Sequence, residues 1–143
     1  MSALTALARR RGVSVEFEAM LGTLAGGAPT AARRRAGLAL QLVNGGLLAQ
    51  PYAAILDRTP RASGWALGAA LGLLHTLAAG AFLAAVPAIH PEVPRRLAEP
   101  GPFYARHGAA AVGLLLATHV IYGAIVGAVY AAAPRRTVRA WGR

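Results

Sequence analysis

Three stretches of this chain contain no charged side chain and are long enough to cross a membrane. They cover residues 36–56, 64–89 and 108–133, and arginines flank each of them. A helix needs about 20 apolar residues to cross the hydrocarbon core of a bilayer, and lipid offers no partner to an unpaired backbone group. We therefore expect three transmembrane helices, since a soluble fold of 143 residues is too small to bury three helices that are apolar on every side.

A shorter uncharged segment over residues 19–32 precedes these stretches, between Glu18 and Arg33. It predicts a short fourth span, with a re-entrant piece or a helix lying in the membrane interface as the alternatives. Residues 1–18 and 134–143 are then an N-terminal and a C-terminal tail. The predicted fold is all-α: a helical bundle that forms a single membrane domain.

The charges of the chain are concentrated at the ends of these stretches. All 15 basic residues are arginine, only 5 residues are acidic, and the net charge is +10. Arginines at the ends of spans contact anionic lipid headgroups, and these clusters lack the interleaved aromatic residues that stack on bases. We therefore expect a lipid bilayer as partner and no nucleic acid. The arginine distribution favours a cytoplasmic N-terminus, which predicts a multi-pass protein of the cell (inner) membrane.

Small residues recur at every fourth position along the predicted helices. Steps of four stay near one helix face, and small residues are what allow helices to approach closely in lipid. We expect these positions to pack helices together, either within the chain or in a homo-oligomer or larger membrane complex. The packing positions are Gly64, Gly68, Gly72, Thr76 and Gly80 in the second stretch, and Gly123 and Gly127 in the third.

Polar side chains are predicted inside the membrane: Gln41 and Asn44 in the first stretch, His75 in the second and His119 in the third. Such groups are costly in lipid and usually face the bundle interior. Consecutive spans run antiparallel, which places the two histidines at similar depth. Two imidazoles on neighbouring helices could bind one haem iron. The alternative is that each imidazole forms a hydrogen bond with a neighbouring amide or a backbone carbonyl.

The loop between the second and third stretches carries a second group of polar residues. His90, Glu92 and His107 are ligand types that zinc accepts. They predict a candidate metal site on one side of the membrane. The alternative is a rigid interfacial loop, since the segment is rich in proline and its arginines and aromatic residues suit the headgroup region.

The polar positions also form a longer pattern, from Leu40 onward. Its elements are Asn44-Gly45, Leu74-His75, His90-Pro91, Pro100-Gly101, and a last helix in which His119 is followed by Tyr122, Gly123 and Gly127. This pattern resembles a group of small, uncharacterised bacterial multi-pass membrane proteins. In that group the first span before this region is longer, which implies that 19–32 is a shortened remnant. The resemblance implies a membrane class and no mechanism.

The sequence therefore predicts a structural or accessory membrane protein that acts through helix–helix association. No phosphate-binding loop, nucleophile elbow or zinc-protease motif is present, and the chain has no cysteine. A haem-binding electron carrier that uses His75 and His119 is one alternative. A metal-dependent membrane enzyme built on the His90, Glu92 and His107 group is another.

Overall fold

The computed structural model describes residues 15–59 and 64–133, and these residues form helices and connecting segments without a strand. Two 3₁₀ turns cover Leu83–Ala85 and Pro102–His107. The α-helices are α1 (Phe17–Gly22), α2 (Ala31–Leu56), α3 (Gly64–Phe82), α4 (Val86–Ile89) and α5 (Ala109–Ala132). The predicted all-α fold is confirmed for this part of the chain, while the two predicted tails lie largely outside it.

Among the described residues, two helical segments rather than three are long and apolar enough to cross a membrane: Gly64–Ile89 and Ala109–Ala132. The other predicted stretch, residues 36–56, lies within α2 and is less apolar than these two segments, because it carries Gln41, Asn44 and Gln50. Thr30 caps the helix, since its side-chain oxygen accepts a hydrogen bond from the N–H of Arg33. The helix therefore begins five residues before the uncharged stretch and includes Arg33, Arg34 and Arg35 in its first turns.

The predicted short span over 19–32 is also corrected, because these residues do not form one helix. Helix α1 ends at Gly22, and the hydroxyl of Thr23 donates a hydrogen bond of 2.7 Å to the carbonyl of Ala19. Gly26 and Gly27 then adopt positive φ angles of 80° and 97°, which reverse the chain before α2. Six residues of helix are only about 9 Å long, far short of a bilayer core.

Helices α3 and α5 pack backbone against backbone along the predicted small-residue positions. A Cβ added to Gly68 would overlap the carbonyl oxygen of Gly123, and a Cβ on Gly123 would overlap that of Gly68. The same reciprocal relation joins Gly64 and Gly127. The helix association predicted from these stripes therefore occurs within the chain.

The row of small residues on α3 extends past its contact with α5 and reaches the loop after α4. The hydroxyl of Thr76 is buried and donates a hydrogen bond of 3.0 Å to the carbonyl of Gly72 in its own helix. Gly80 faces the ring of Phe103, which occupies the space that a Cβ would need. One face of α3 thus holds both the neighbouring helix and the loop that follows it.

Helix α2 is held to the others by contacts near its two ends and by tyrosine side chains between them. At its start, Gly37 packs against the backbone of Glu18 and Gly22 in α1. Farther along, the hydroxyl of Tyr122 donates a hydrogen bond to the carbonyl of Gly45. Near the C-terminal end of the helix, the hydroxyl of Tyr130 donates a hydrogen bond to Asp57.

The apolar core lies at one end of the bundle, where α1, the end of α3 and the loop meet the start of α5. Helix α3 gives way to the 3₁₀ turn at Leu83–Ala85, four residues before Pro87, which has no N–H to continue the ladder. The buried residues of this core are Val15, Ala19, Met20, Leu83, Val86, Val93, Leu97, Tyr104 and Ala111.

We predict that Gly68→Ala destabilises the protein by about 1–3 kcal/mol or more, because the added methyl group must separate the α3 and α5 backbones. Gly113→Ala is the matched control, since no atom outside its own helix backbone lies within 4 Å of its Cβ position. That change is expected to be neutral or to stabilise by up to about 1 kcal/mol through helix propensity. Thermal unfolding in detergent compares the two variants, and equal stability would contradict the proposed close contact.

Candidate functional site

A cavity of about 350 Å³ lies between α2 and the α3–α5 pair. This volume is near the lower end of the range of about 300–1,000 Å³ that is typical of small-molecule sites. Its wall is mainly apolar, and α1 and the loop close one end. The apolar lining includes Val15, Phe17, Met20, Leu21, Leu24, Leu48, Phe82, Leu83, Val86, Leu114 and Leu115.

The cavity is elongated along the helices. It is lined from His75 to Val86 on one side and from Ala111 to Tyr122 on the other. Each of these intervals corresponds to about 16 Å of helix rise. The shape suits an extended apolar molecule better than a compact one.

Two histidines and two tyrosines meet at the end of the cavity away from α1 and the loop, with His75, His119 and Tyr122 in its lining and Tyr52 beside it. The rings of His75 and His119 contact each other edge to face, with centroids 4.6 Å apart and an interplanar angle of 79°. This contact agrees with the similar depth expected for two antiparallel helices. The hydroxyl of Tyr52 lies 3.2 Å from Nδ1 of His75, and its ring also packs edge to face on Tyr122.

The hydrogen bonds of His119 determine what its ring can offer to a ligand. Its Nδ1 lies 2.8 Å from the carbonyl oxygen of Leu115. A carbonyl only accepts, so Nδ1 carries the proton and donates it. In the neutral ring the other nitrogen, Nε2, is then a hydrogen-bond acceptor. No described residue forms a hydrogen bond with Nε2.

The hydroxyl groups of Tyr122 and Thr118, which lie near His119, already donate hydrogen bonds to backbone carbonyls. Tyr122 donates to Gly45, and Thr118 donates to Leu114 at 2.8 Å. These side chains can still accept a hydrogen bond, but they have none left to donate. This end of the cavity is therefore rich in acceptors.

Helix α2 contributes two amides to the same region, from Gln41 and Asn44 one turn apart. The side chain of Gln41 is only 9% exposed, and its Oε1 has no hydrogen-bond partner among the described residues. An unsatisfied buried polar atom costs about 1–3 kcal/mol. Gln41 is thus a position where a ligand that donates a hydrogen bond would remove a cost the protein now carries.

The opposite end of the cavity is formed by the loop after α4. Phe103 and Tyr104 have positive φ angles of 54° and 61°, an unusual conformation for two adjacent residues with side chains. This backbone conformation places the ring of Phe103 against Gly80 and buries Tyr104 in the core beside the cavity. Burial raises the pKa of Tyr104, with a smaller contribution from Glu18, so its hydroxyl stays protonated.

The predicted haem site does not fit this arrangement. A haem bound by both histidines would have to lie between their imidazoles, with one ring on each face of the porphyrin. His75 and His119 instead contact each other directly, and this leaves no space for a macrocycle between them. The close approach of α3 and α5 through their glycines is the physical reason.

The predicted metal ligands in the loop also have other roles. Among the described residues, no group of three or more His, Cys, Asp or Glu side chains is placed to hold a metal ion. Nε2 of His90 donates to the carbonyl of Met20 at 2.8 Å, and its Nδ1 accepts from the N–H of Glu92 at 3.1 Å. His107 packs against the ring of Tyr104. His90 and Glu92 therefore hold the loop to α1 and to the segment before α2, and His107 packs within the loop.

Glu92 links the loop to the segment between α1 and α2. Its carboxylate accepts a hydrogen bond from the backbone N–H of Gly27 and forms an ion pair of 3.0 Å with Arg96. The Gly27 hydrogen bond is the main cause that lowers the pKa of Glu92 below its ordinary value of 4.5, and Arg96 and Arg95 add to it. The lowered pKa means that this carboxylate stabilises the fold in its ionised form.

Tyr52, which lies beside the cavity and not in its lining, was not singled out by sequence reasoning, whereas Gly45 belongs to the Asn44-Gly45 element of the sequence pattern. Tyr52 and Gly45 lie near His75 and Tyr122 only because α2 is antiparallel to α3 and packs beside α5. Tyr104 was expected in an interfacial aromatic belt, and it is buried instead. Helical spacing does carry a signal for Tyr52, since it lies seven residues after Gly45 and eleven after Gln41, which places all three near one face of α2.

Comparison of the chain with known protein families, with functionally described proteins and with solved structures gives no match.

We predict that Glu92→Gln reduces the acid sensitivity of the protein. The folded-state pKa of Glu92 is lowered, so its stabilising contribution is present above the unfolded-state pKa and is lost as the pH falls from about 4.5 through the folded value. The glutamine keeps an oxygen that accepts from Gly27 but has no proton to take up. Unfolding temperatures measured in detergent from pH 7 down to pH 3 should fall less steeply for the variant.

Glu99→Gln is the control for this experiment, because Glu99 forms an ion pair with the exposed side chain of Arg106 and, among the described residues, its carboxylate accepts no hydrogen bond from a backbone N–H. It should retain the acid sensitivity of the wild type. Parallel curves for Glu92→Gln and the wild type would show that Glu92 does not stabilise the fold in its ionised form.

Proposed function

We propose that this chain is an integral membrane protein that binds a small lipophilic molecule in the cavity between α2 and the α3–α5 pair. The membrane part of the proposal is supported by which residues of α3 are buried. The buried positions carry Gly64, Gly68, Gly72, Thr76 and Gly80, whereas Trp65, Leu73, Leu74, Leu77 and Phe82 are exposed. In water this distribution would leave the most apolar face unprotected, and in lipid it is the expected one.

The same distribution holds for the other apolar helix. In the most apolar 18-residue segment of Gly64–Ile89, only 28% is buried within the chain. The corresponding share for Ala109–Ala132 is 22%. A core helix of a soluble protein would be mostly buried. The exposed side chains of α5 include Leu116, Ile121, Ile125 and Val129, which suits contact with acyl chains.

In this proposal α2 crosses the membrane beside α3 and α5. Its first turns carry Arg33, Arg34 and Arg35, and Arg58 follows its last turn. Arginines at these places reach the headgroups, while the middle of α2 exposes Leu42, Val43 and Leu47. The start of α2 and the loop after α4 are joined by Glu92 and therefore lie on the same side.

The absence of cysteine in the chain makes this topology directly testable. We predict that Leu74→Cys, at a side chain that is 60% exposed in the middle of α3, resists a membrane-impermeant maleimide in vesicles. Ala98→Cys, in the exposed loop, should react from one side only. With the N-terminus in the cytoplasm, that reaction occurs in inverted vesicles and not in intact spheroplasts.

Labelling of the two cysteines at similar rates, before detergent is added, would show that α3 is in contact with water. Addition of detergent should make Leu74→Cys reactive, which controls for burial within the protein.

The ligand-binding part of the proposal is supported by one observation: polar side chains from three helices converge in an otherwise apolar cavity of ligand size. The small-residue stripes, which favoured an accessory protein that acts by helix association, are already used within the chain. The small residues therefore do not offer a surface for association with another protein. The cavity, in contrast, has hydrogen-bond acceptors that no described residue uses.

We predict that filling the cavity abolishes ligand binding. Ala79→Phe places a ring in the cavity, and Ala78→Phe places the same ring on the exposed face of α3. Native mass spectrometry of protein released from phosphatidylcholine nanodiscs with added 1-dodecanol should show the ligand bound to the wild type and to Ala78→Phe. Ala79→Phe should lose at least about 90% of the bound fraction. Equal binding by all three proteins would place the ligand outside the cavity.

A further inference from the structure

We infer that the ligand of the cavity is a neutral lipophilic molecule with a hydroxyl group, and that this hydroxyl donates a hydrogen bond to Nε2 of His119. The inference rests on the proposed function, since it names the chemical class of the molecule that the cavity binds. It follows from the absence of charged side chains among the described residues of the lining, from the hydrogen bonds that the polar side chains of the lining already donate, and from the shape of the cavity.

The lining restricts the charge of the ligand. None of the described residues that line the cavity is Asp, Glu, Lys or Arg. The carboxylate of a fatty acid or the phosphate of a phospholipid would enter an apolar space without a cation to pair with, which is strongly unfavourable. An ammonium group would likewise lack an anion. The site therefore selects a neutral molecule.

The free hydrogen-bonding positions restrict the polar group. Nε2 of His119 and Oε1 of Gln41 accept, and the hydroxyls of Thr118 and Tyr122 already donate to backbone carbonyls. The hydroxyl of Tyr104 is the other buried polar atom without a partner among the described residues, and it lies at the loop end of the cavity, away from His119. A ketone, an ester or an ether has only acceptor atoms, so it could accept from the amide of Asn44 or the hydroxyl of Tyr104 but would leave Nε2 of His119 and Oε1 of Gln41 unpaired. A hydroxyl donates its proton to Nε2 of His119 and can in turn accept from the amide of Asn44.

The remaining length of the cavity fits the apolar part of such a molecule. From His119 the lining continues through Leu115, Leu114 and Ala111 on α5 and through Ala79, Phe82 and Leu83 on the α3 side. These residues have no hydrogen-bonding side chain, so they suit a hydrocarbon tail. The hydroxyl end is then next to His119, and the tail extends toward α1 and the loop.

Four probes of equal chain length test the inference: 1-dodecanol, dodecyl methyl ether, dodecanoate and dodecane. Binding to the wild-type protein in phosphatidylcholine nanodiscs is measured by thermal stabilisation and by native mass spectrometry. We expect the alcohol to bind at least about fivefold more tightly than the ether, which corresponds to the loss of one neutral hydrogen bond. Dodecanoate at pH 8 should bind more weakly than the ether.

His119→Phe tests the acceptor itself. It keeps a ring of similar size and removes Nε2, so the preference for alcohol over ether should fall to about one. Leu116→Phe places the same ring on the exposed face of α5 and should keep the preference. The ratio of alcohol to ether binding is a readout that a general loss of stability does not change, and the wild-type ratio remains decisive if His119→Phe fails to fold.

The outcomes separate the two proposals. If alcohol, ether, dodecanoate and dodecane all bind to the cavity with similar affinity, the hydroxyl inference is wrong and the ligand-binding function stands. If none of them binds the wild type, the proposed function is wrong as well. A stronger binding of dodecanoate than of the alcohol would also overturn the inference, because it would require a cation at the site.

Discussion

The close contact between α3 and α5 is the constraint on which the other features of this structure depend. At Gly68 and Gly123 each backbone carbonyl occupies the place of a side chain on the opposite helix. Where two helices approach this closely, no side chain or ligand fits between them. The apolar side chains are therefore displaced to the outer surface, and the space available for a ligand lies on the other side of the pair, toward α2.

Helix α2 is kept at a distance by the same residues that attach it. Gly45 contacts α5 through the ring of Tyr122, and Tyr52 contacts α3 through His75. Aromatic side chains are long spacers, so contacts of this kind leave a gap that glycine contacts would close. The cavity is thus a consequence of two different packing modes in one small bundle: glycine against backbone in one place, tyrosine against backbone or imidazole in the other.

The sequence predicted the elements of this arrangement better than their pairing. The steps of four from Gly64 to Gly80 identified the contact face of α3, because in a membrane protein small residues mark close approach. They could not show that Gly123 and Gly127 are the partners, since the same spacing serves contacts between chains. The depth of His75 and His119 was predictable from helix rise alone, whereas the direct contact that excludes haem depends on the interhelical distance.

The errors in the prediction have equally local causes. Hydropathy treated 19–32 as a possible span, but the positive φ angles of Gly26 and Gly27 reverse the chain there. His90 and Glu92 resemble metal ligands by residue type, and what the sequence could not show is that Met20 and Gly27 lie beside them. Each of these contacts joins residues far apart in the chain, and composition and periodicity carry no information about such pairs.

The polar groups of the interior share one property that gives the cavity its character: they are neutral. In the described part of the chain, the charged side chains that hold the fold lie at the ends of the bundle: Arg34 with Glu16 and Arg96 with Glu92 where α1 and the loop meet, and Asp57 with Tyr130 at the opposite end. In the proposed membrane location, separation of this kind limits the electrostatic cost of placing the helices in lipid. It also means that a ligand is recognised by hydrogen-bond direction rather than by charge, so the proton on Nδ1 of His119 decides which molecules the site accepts.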